Sequence, residues 1–459
     1  MAVDIRSRFV RSRPTKWPDD PELRLAYRWF VSLIGEQTWS RRRTEVMRRV
    51  ASAFENRKPN SAPISIRDPE DTFGWYLLLC ESLLDHPGDY DFAQGSRVIP
   101  LMKALGRHLD LLCQIRGIEG RVQRLATYER RDPDSGIFEI LVALCYLRNG
   151  WSSVRFVPES PTSKTYDLEV SEKHRSLAVE CKRMAKSSQY SIEEREHFQR
   201  MWRPLSDYLV RSGIEVSFDI MFHEELDNLP DDFLLGLVRN RVPLLVFSTL
   251  LHSNSQVTIT AWPTDLSQMR RMLQTDFIKV ASSLLMDLVV GYERNKGFVY
   301  AGVFKLAREN PSYIEDVDFM VSAKWDCDAP EAIDRKARPI LDHLAKAVEQ
   351  LPYSTTGAIH VGIEAMDGDF VEHVRYDRIK RLVAGFNPRG KRLDWIYCHV
   401  FVPEVPPREC WAFDETTYPI KIVGVSGDDP LPKKALVLPD SVPLEERPHW
   451  YHDGAEWKD

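Results

Sequence analysis

Residues 165–184 read TYDLEVSEKHRSLAVECKRM, two short β-branched and apolar runs joined by the polar, turn-like SEKHR. Such a pattern predicts a β-hairpin. Side chains alternate across a strand, so Glu180 and Lys182 share one face with Ala178 while Cys181 points to the other. In the first run Asp167 and Glu169 share a face, opposite Tyr166 and Leu168. Working outward, SGIFEILVALCYLRNG (135–150) predicts a helix closed by Asn149 and Gly150, and VRFVP (154–158) a further strand. Downstream, a charged helix from about Ile192 to Arg211 ends at Gly213, and IEVSFDIMF (214–222) reads as another strand. The order is helix, three strands, helix, strand.

Hydrolysis of a phosphodiester needs carboxylates that hold magnesium, a cation beside the attacking water, and a frame that fixes them. Asp167, Glu180 and Lys182 supply those types on adjacent strands. Acid-x-Lys triplets also occur at Asp334–Lys336, in a charged helix, and at Glu456–Lys458, in a polar stretch. Glu180 differs from both because it interrupts an apolar strand, where an unpaired carboxylate is costly and calls for a cation. Glu139 is the only charged side chain between Gly136 and Leu147, which argues against a solvated helix face and leaves open a buried ion pair or a site carboxylate.

These residues resemble the PD-(D/E)XK (restriction-endonuclease-like) nuclease superfamily, whose core carries an acidic residue on one strand and an acid-x-Lys triplet on the next. Asp167 followed by Glu180, Cys181 and Lys182 matches, with Tyr166 standing where the family has proline. The resemblance covers about ninety residues. It implies an α/β fold, a mixed central sheet flanked by helices, with an N-terminal helical region and a C-terminal α/β extension. It further implies Mg2+, with Mn2+ able to substitute, held by Asp167, Glu180 and the backbone carbonyl of Cys181. Lys182 would orient or deprotonate the attacking water, and Glu139 would hold a water or complete a second metal position. Glu169 is an accessory ligand candidate, weighed against rim charge. Gln199 is a further accessory candidate, weighed against a plain surface position on its helix.

The chain of 459 residues is too long for one ordinary core, and 43% hydrophobic with 28% charged residues describes a globular protein. No apolar run approaches the roughly 20 residues of a membrane span, and the first residues carry no apolar signal core, so a cytoplasmic protein without membrane contact is expected. The seven cysteines are scattered and never spaced as CxxC, against disulfides or structural zinc. No GxxxxGK[ST] segment is present, and the histidines at 174, 197 and 223 are not clustered in sequence.

Punctuation and periodicity divide the chain into a mostly helical region (1–130), the nuclease-like core (131–229), a mixed helical insertion or linker (230–300), an α/β segment (301–425) and an irregular tail (426–459), the irregular character starting near Pro403. The 301–425 segment either completes the core sheet or stands apart as a recognition domain. A net charge of -6 does not itself favour a polyanion, but local patches decide binding. Arg6, Arg8, Arg11, Arg13 and Lys16, then Arg41, Arg42, Arg43, Arg48 and Arg49, form a candidate nucleic-acid clamp, against the alternative of a solvated basic surface. Arg183 and Lys186 are candidate phosphate contacts on the same terms. The expected activity is DNA endonuclease, in a restriction or phage-defence setting, with a homodimer and a separate methyltransferase or ATPase partner as open options. The alternatives are a non-cutting nucleic-acid-binding or assembly protein of the same fold, and a nuclease acting on RNA or a repair intermediate.

Overall fold

The computed structural model describes residues 19–442 except 56–67, 159–164, 174, 185–187, 309, 338–340, 423 and 426–427. Among the helices, α1 (Pro21–Ile34), α2 (Glu36–Glu55), α3 (Thr72–Asp85), α4 (Phe92–Arg107), α5 (Ile118–Ala126) and α6 (Asp134–Arg148) precede the first strand. Carboxylate caps start several of them: Asp20, Asp71 and Asp91 accept from the backbone N–H three residues on, at 3.0, 2.9 and 2.8 Å. Helix α6 stops at Asn149, and Gly150 follows with φ 86°, as its sequence predicts.

Strands β1 (Ser153–Phe156), β2 (Leu168–Glu172) and β3 (Arg175–Arg183) form an antiparallel meander, with Leu168 opposite Val179 and Val170 opposite Leu177. The next neighbour of β3 arrives far along the chain. It is β10 (Thr356–Glu364), parallel to β3 with Glu180 beside Ile359 and Lys182 beside Val361. Then come β11 (Leu393–Glu404), parallel to β10, and β12 (Ala412–Lys421), antiparallel at the edge. The result is a mixed six-stranded sheet, β1-β2-β3-β10-β11-β12. One face carries Leu177, Val179 and Cys181 into a core shared with the N-terminal helices and α6, so residues 21–126 are not a separate body. The other face carries Ala178, Ile359 and Val361 against α9 (Leu341–Gln350) and α10 (Asp369–Ala384). Strand β10 is buried almost throughout, as a parallel strand covered on both faces must be.

Two expectations are corrected. The strand read from IEVSFDIMF, β4 (Val216–Phe222), does not join the first sheet; it lies in a second one, β5-β6-β4-β9-β7, built with β5 (Thr249–Ser253), β6 (Val257–Pro263), β7 (Ile278–Lys279) and β9 (Tyr313–Cys327), with β8 (Gly297–Leu306) also on β9. Helix α7 (Gln189–Ser212) goes with it: Phe198, Met201 and Trp202 pack with Phe218, Ile220 and Phe222. The apolar pattern identifies each strand but does not encode which strand it pairs with. Secondly, the stretch after Pro403 is not irregular throughout, because Ala412–Lys421 is a strand. Its Pro419 and poor periodicity are tolerated at a sheet edge. Residues 428–442 are irregular yet well packed, with Leu431 and Leu436 buried in the main core and Glu415 accepting from Leu436 N and Val437 N at 2.8 Å each. Among the described residues, no helix is long and apolar enough to cross a membrane.

Candidate active site

Asp167 lies one residue before β2, and its N–H donates to Val179 O at 3.1 Å, extending the ladder. Continuing the Leu168–Val179 register by one step sets Asp167 opposite Glu180. Asp167 Oδ2 accepts from Cys181 N at 2.7 Å, so Cys181 enters the site through its amide, while its thiol is buried on the other face. Glu180 is 0% exposed, and one of its oxygens accepts from Lys182 Nζ. The second oxygen, Oε2, is buried with no hydrogen-bond donor among the described residues. Asp167, the carboxyl opposite, donates to it only while protonated, and with its titration pushed up to about 8 it holds that proton at neutral pH. Lys182 reaches the surface, with 22% of its side chain exposed.

Electrostatics follow from this crowding. Burial, then the adjacent Glu180, pushes Asp167 up to about 8. Burial raises Glu180 to about 7 although Lys182 opposes the shift, with Glu139 adding to it. Glu139 is likewise pushed to about 7 by burial and by Asp167, against the pull of Arg121. The three carboxyls thus sense one another, and their shared need is for a proton or a cation.

Other expected residues fall elsewhere. Glu139 stands on α6 as expected, but its carboxylate accepts from Arg121 Nε at 2.7 Å, and Arg121 also holds Glu129 at 2.7 Å. Glu169 is committed across the β1–β2 pair to Arg155 at 2.6 Å, which makes it rim charge. Gln199 belongs to α7, whose buried face lies on the second sheet, so it does not line the site. Arg183 points to the face opposite Lys182 and donates to Glu364 at 2.9 Å in a buried cluster with Arg97; it is not free for phosphate. Arg42 binds Asp71 and Ala126 O, and Arg43 binds Glu81, so both tie helices together, whereas Arg41 is exposed. Arg49 likewise pairs with Asp68, leaving Arg41 and Arg48 as the exposed members of that basic run. Lys186 and the basic residues 6–16 lie outside the described residues.

Two residues that the sequence reading did not single out complete the arrangement. Gln350, the last residue of α9, accepts from Lys182 Nζ at 2.7 Å and donates to Thr165 O at 3.0 Å. Arg121 pairs with Glu139 and opposes the upward push of burial and Asp167 on its carboxyl. Neither carries a local signal, since each matters only through a partner distant in sequence.

No group of three or more His, Cys, Asp or Glu side chains among the described residues is disposed to hold a metal ion. What remains is smaller: two carboxylates, Asp167 and Glu180, opposite each other in the strand register, with one Glu180 oxygen buried. Two carboxylates fit magnesium, which commonly keeps several waters of its own. Comparison of the chain with protein-family models, with curated proteins and with solved structures finds no match.

Proposed function

We propose that the chain is a metal-dependent nuclease of the PD-(D/E)XK type acting on DNA, with Asp167, Glu180 and Lys182 as its working residues. The observation that supports this reading is the orphaned Glu180 Oε2. It is a fully buried carboxylate oxygen opposite a second carboxylate, with the ammonium of its own triplet in contact. Once Asp167 has lost its proton that oxygen has no donor, which is expensive, and a divalent cation shared with Asp167 would take the proton's place.

In this reading Asp167 and Glu180, with the Cys181 carbonyl, hold Mg2+ or Mn2+. The bound cation would neutralise charge on the scissile phosphate and favour deprotonation of the attacking water. Lys182, the exposed member, meets the phosphate and orients the water whose oxygen attacks phosphorus as the bond to the leaving oxygen breaks. Gln350 takes a second hydrogen bond from the Lys182 ammonium, which also contacts Glu180. Glu139, neutralised by Arg121, shapes the field at Asp167 and is not assigned as a ligand.

The test is cleavage of supercoiled plasmid, linear duplex, single-stranded DNA and RNA in magnesium, manganese or EDTA, with Lys182→Ala alongside. Metal-dependent cutting lost in the variant is the expected result, and the substrate panel separates DNA from RNA. Nucleic-acid binding without cutting by either protein in any metal would replace this reading with that of a non-cutting binding protein.

A further inference from the structure

Between the two sheets opens a cleft of about 350 Å³ whose walls include none of Asp167, Glu180, Lys182 or Gln350. It lies where β10 and β11 end, at Ala365–Asp367 and Pro403–Val405, the carboxyl edge of the parallel strands, which is where open α/β sheets bind ligands. Its volume falls within the range of small-molecule sites.

The chemistry of the walls narrows the occupant. Glu194 and Lys336, each 4% exposed, pair at 2.7 Å through Glu194 Oε2. Glu194 Oε1 is buried and has no hydrogen-bond partner among the described residues, so it would gain from a donor that enters beside it as the Glu194 side chain turns toward the cleft. Elsewhere the cleft is lined by Lys296, Arg294, the first residue, Ser283, of the helix α8 (Ser283–Val290) and its cap Ser282, whose hydroxyl accepts from Leu285 N at 3.1 Å. A helix N-terminus and two cations favour an anion. The cations are not idle: Lys296 contacts Asp219 at 3.0 Å and Glu293 at 3.1 Å, and Arg294 lies 3.6 Å from Glu404.

In all, four basic and four acidic side chains line the cleft. That balance disfavours a bare polyanion such as a nucleic-acid backbone and selects a ligand with a donor at one end and an anion at the other. Trp325 and Phe298 add flat apolar wall. Ala281 holds φ at 56° beside Ser282, a conformation that a non-glycine residue adopts at a cost and that gathers at ligand sites. An amino acid has the two ends but neither the bulk nor the flat ring.

We propose that this cleft binds a mononucleotide, its exocyclic amino group donating to Glu194 Oε1 and its phosphate received by Lys296, Arg294 and the N-terminus of α8. The site is separate from the nuclease centre and does not depend on that assignment.

Isothermal titration calorimetry of the full chain with AMP, GMP, CMP and UMP tests it, with inorganic phosphate as the half-ligand. At least one amino-bearing nucleotide is expected to bind, with UMP, which lacks that group, and phosphate weaker by roughly tenfold or more. Glu194→Gln should abolish that preference. Because this change also disturbs Lys336, Ser283→Trp serves as a second variant that fills the cleft and leaves the ion pair intact; it should lose binding while remaining folded by circular dichroism. Lys182→Ala should bind nucleotide unchanged, which keeps a failure of this proposal distinct from a failure of the nuclease reading. No binding by any of the four up to about 1 mM, UMP binding equal to the others, or full binding by Ser283→Trp would each overturn the proposal.

Discussion

Gln350 accepts from Lys182 Nζ at 2.7 Å across 168 positions of sequence, and its amide nitrogen donates at 3.0 Å to Thr165 O, two residues before Asp167. One side chain therefore links the helix on one face of the sheet to both halves of the candidate site. Gln350→Leu should lower turnover by about 10- to 100-fold, as loss of an orienting partner does. Duplex affinity measured in calcium should hardly change. A matching fall in affinity would show that Gln350 contacts substrate itself, and unchanged turnover would remove it from the site.

The carboxyls predict a stability effect with a definite sign. Asp167, Glu180 and Glu139 titrate in the folded protein at about 8, 7 and 7. Between the ordinary carboxylate range and those values, the folded chain keeps protons that the unfolded chain has released, so raising pH through this window removes stability. In EDTA at pH 8, the double variant Asp167→Asn, Glu180→Gln should be more stable than the parent by roughly 1–2 kcal/mol, and should not cut. Magnesium should then raise the urea midpoint of the parent alone. A double variant less stable than the parent in EDTA would refute the crowding argument.

Acid should act through a different group. His360 Nδ1 and His399 Nε2 lie 2.9 Å apart in the sheet interior, with Tyr146 Oη 3.1 Å from His360 Nε2. Burial holds both imidazoles below their ordinary range. Below about pH 6.5 the unfolded chain takes up protons that these histidines refuse, so each adds a slope of about 1.4 kcal/mol per pH unit against folding. His360→Gln should flatten the acid limb of a stability–pH curve; an unchanged limb would mean that other groups govern it.

Arg121 neutralises Glu139 and Glu129 together in a nearly closed site. Arg121→Ala strands a buried carboxylate and should cost about 3–5 kcal/mol by urea denaturation. Adding Glu139→Gln should recover part of that loss, and failure to do so would place the damage in packing instead of charge.

Much of this was legible in the sequence. The hairpin that sets Asp167 opposite Glu180, the helix that ends at Asn149, and most of the strands follow from local periodicity and punctuation, which the chain must satisfy whatever its tertiary partners. The misplaced β4 shows the limit. Its apolar residues and those of β10 are alike in kind, and only the packing of α7 on the second sheet decides which of them stands beside β3. Arg183 is hidden for a related reason: alternation puts it opposite Lys182, but nothing local announces that Glu364 waits there. A basic run such as that of α2 looks the same in sequence whether its partners are phosphates or Asp71 and Glu81.

The wide separation of β3 from β10 also orders events on the ribosome. When synthesis passes residue 230, the hairpin carrying Asp167, Glu180 and Lys182 has emerged, but the strand that will flank it and the glutamine that will steady its lysine are unmade. At about 5–20 residues per second, some ten to thirty seconds separate Lys182 from Gln350. If the proposed nuclease activity holds, a nascent chain of this kind would be unarmed until β10 and Gln350 had been made.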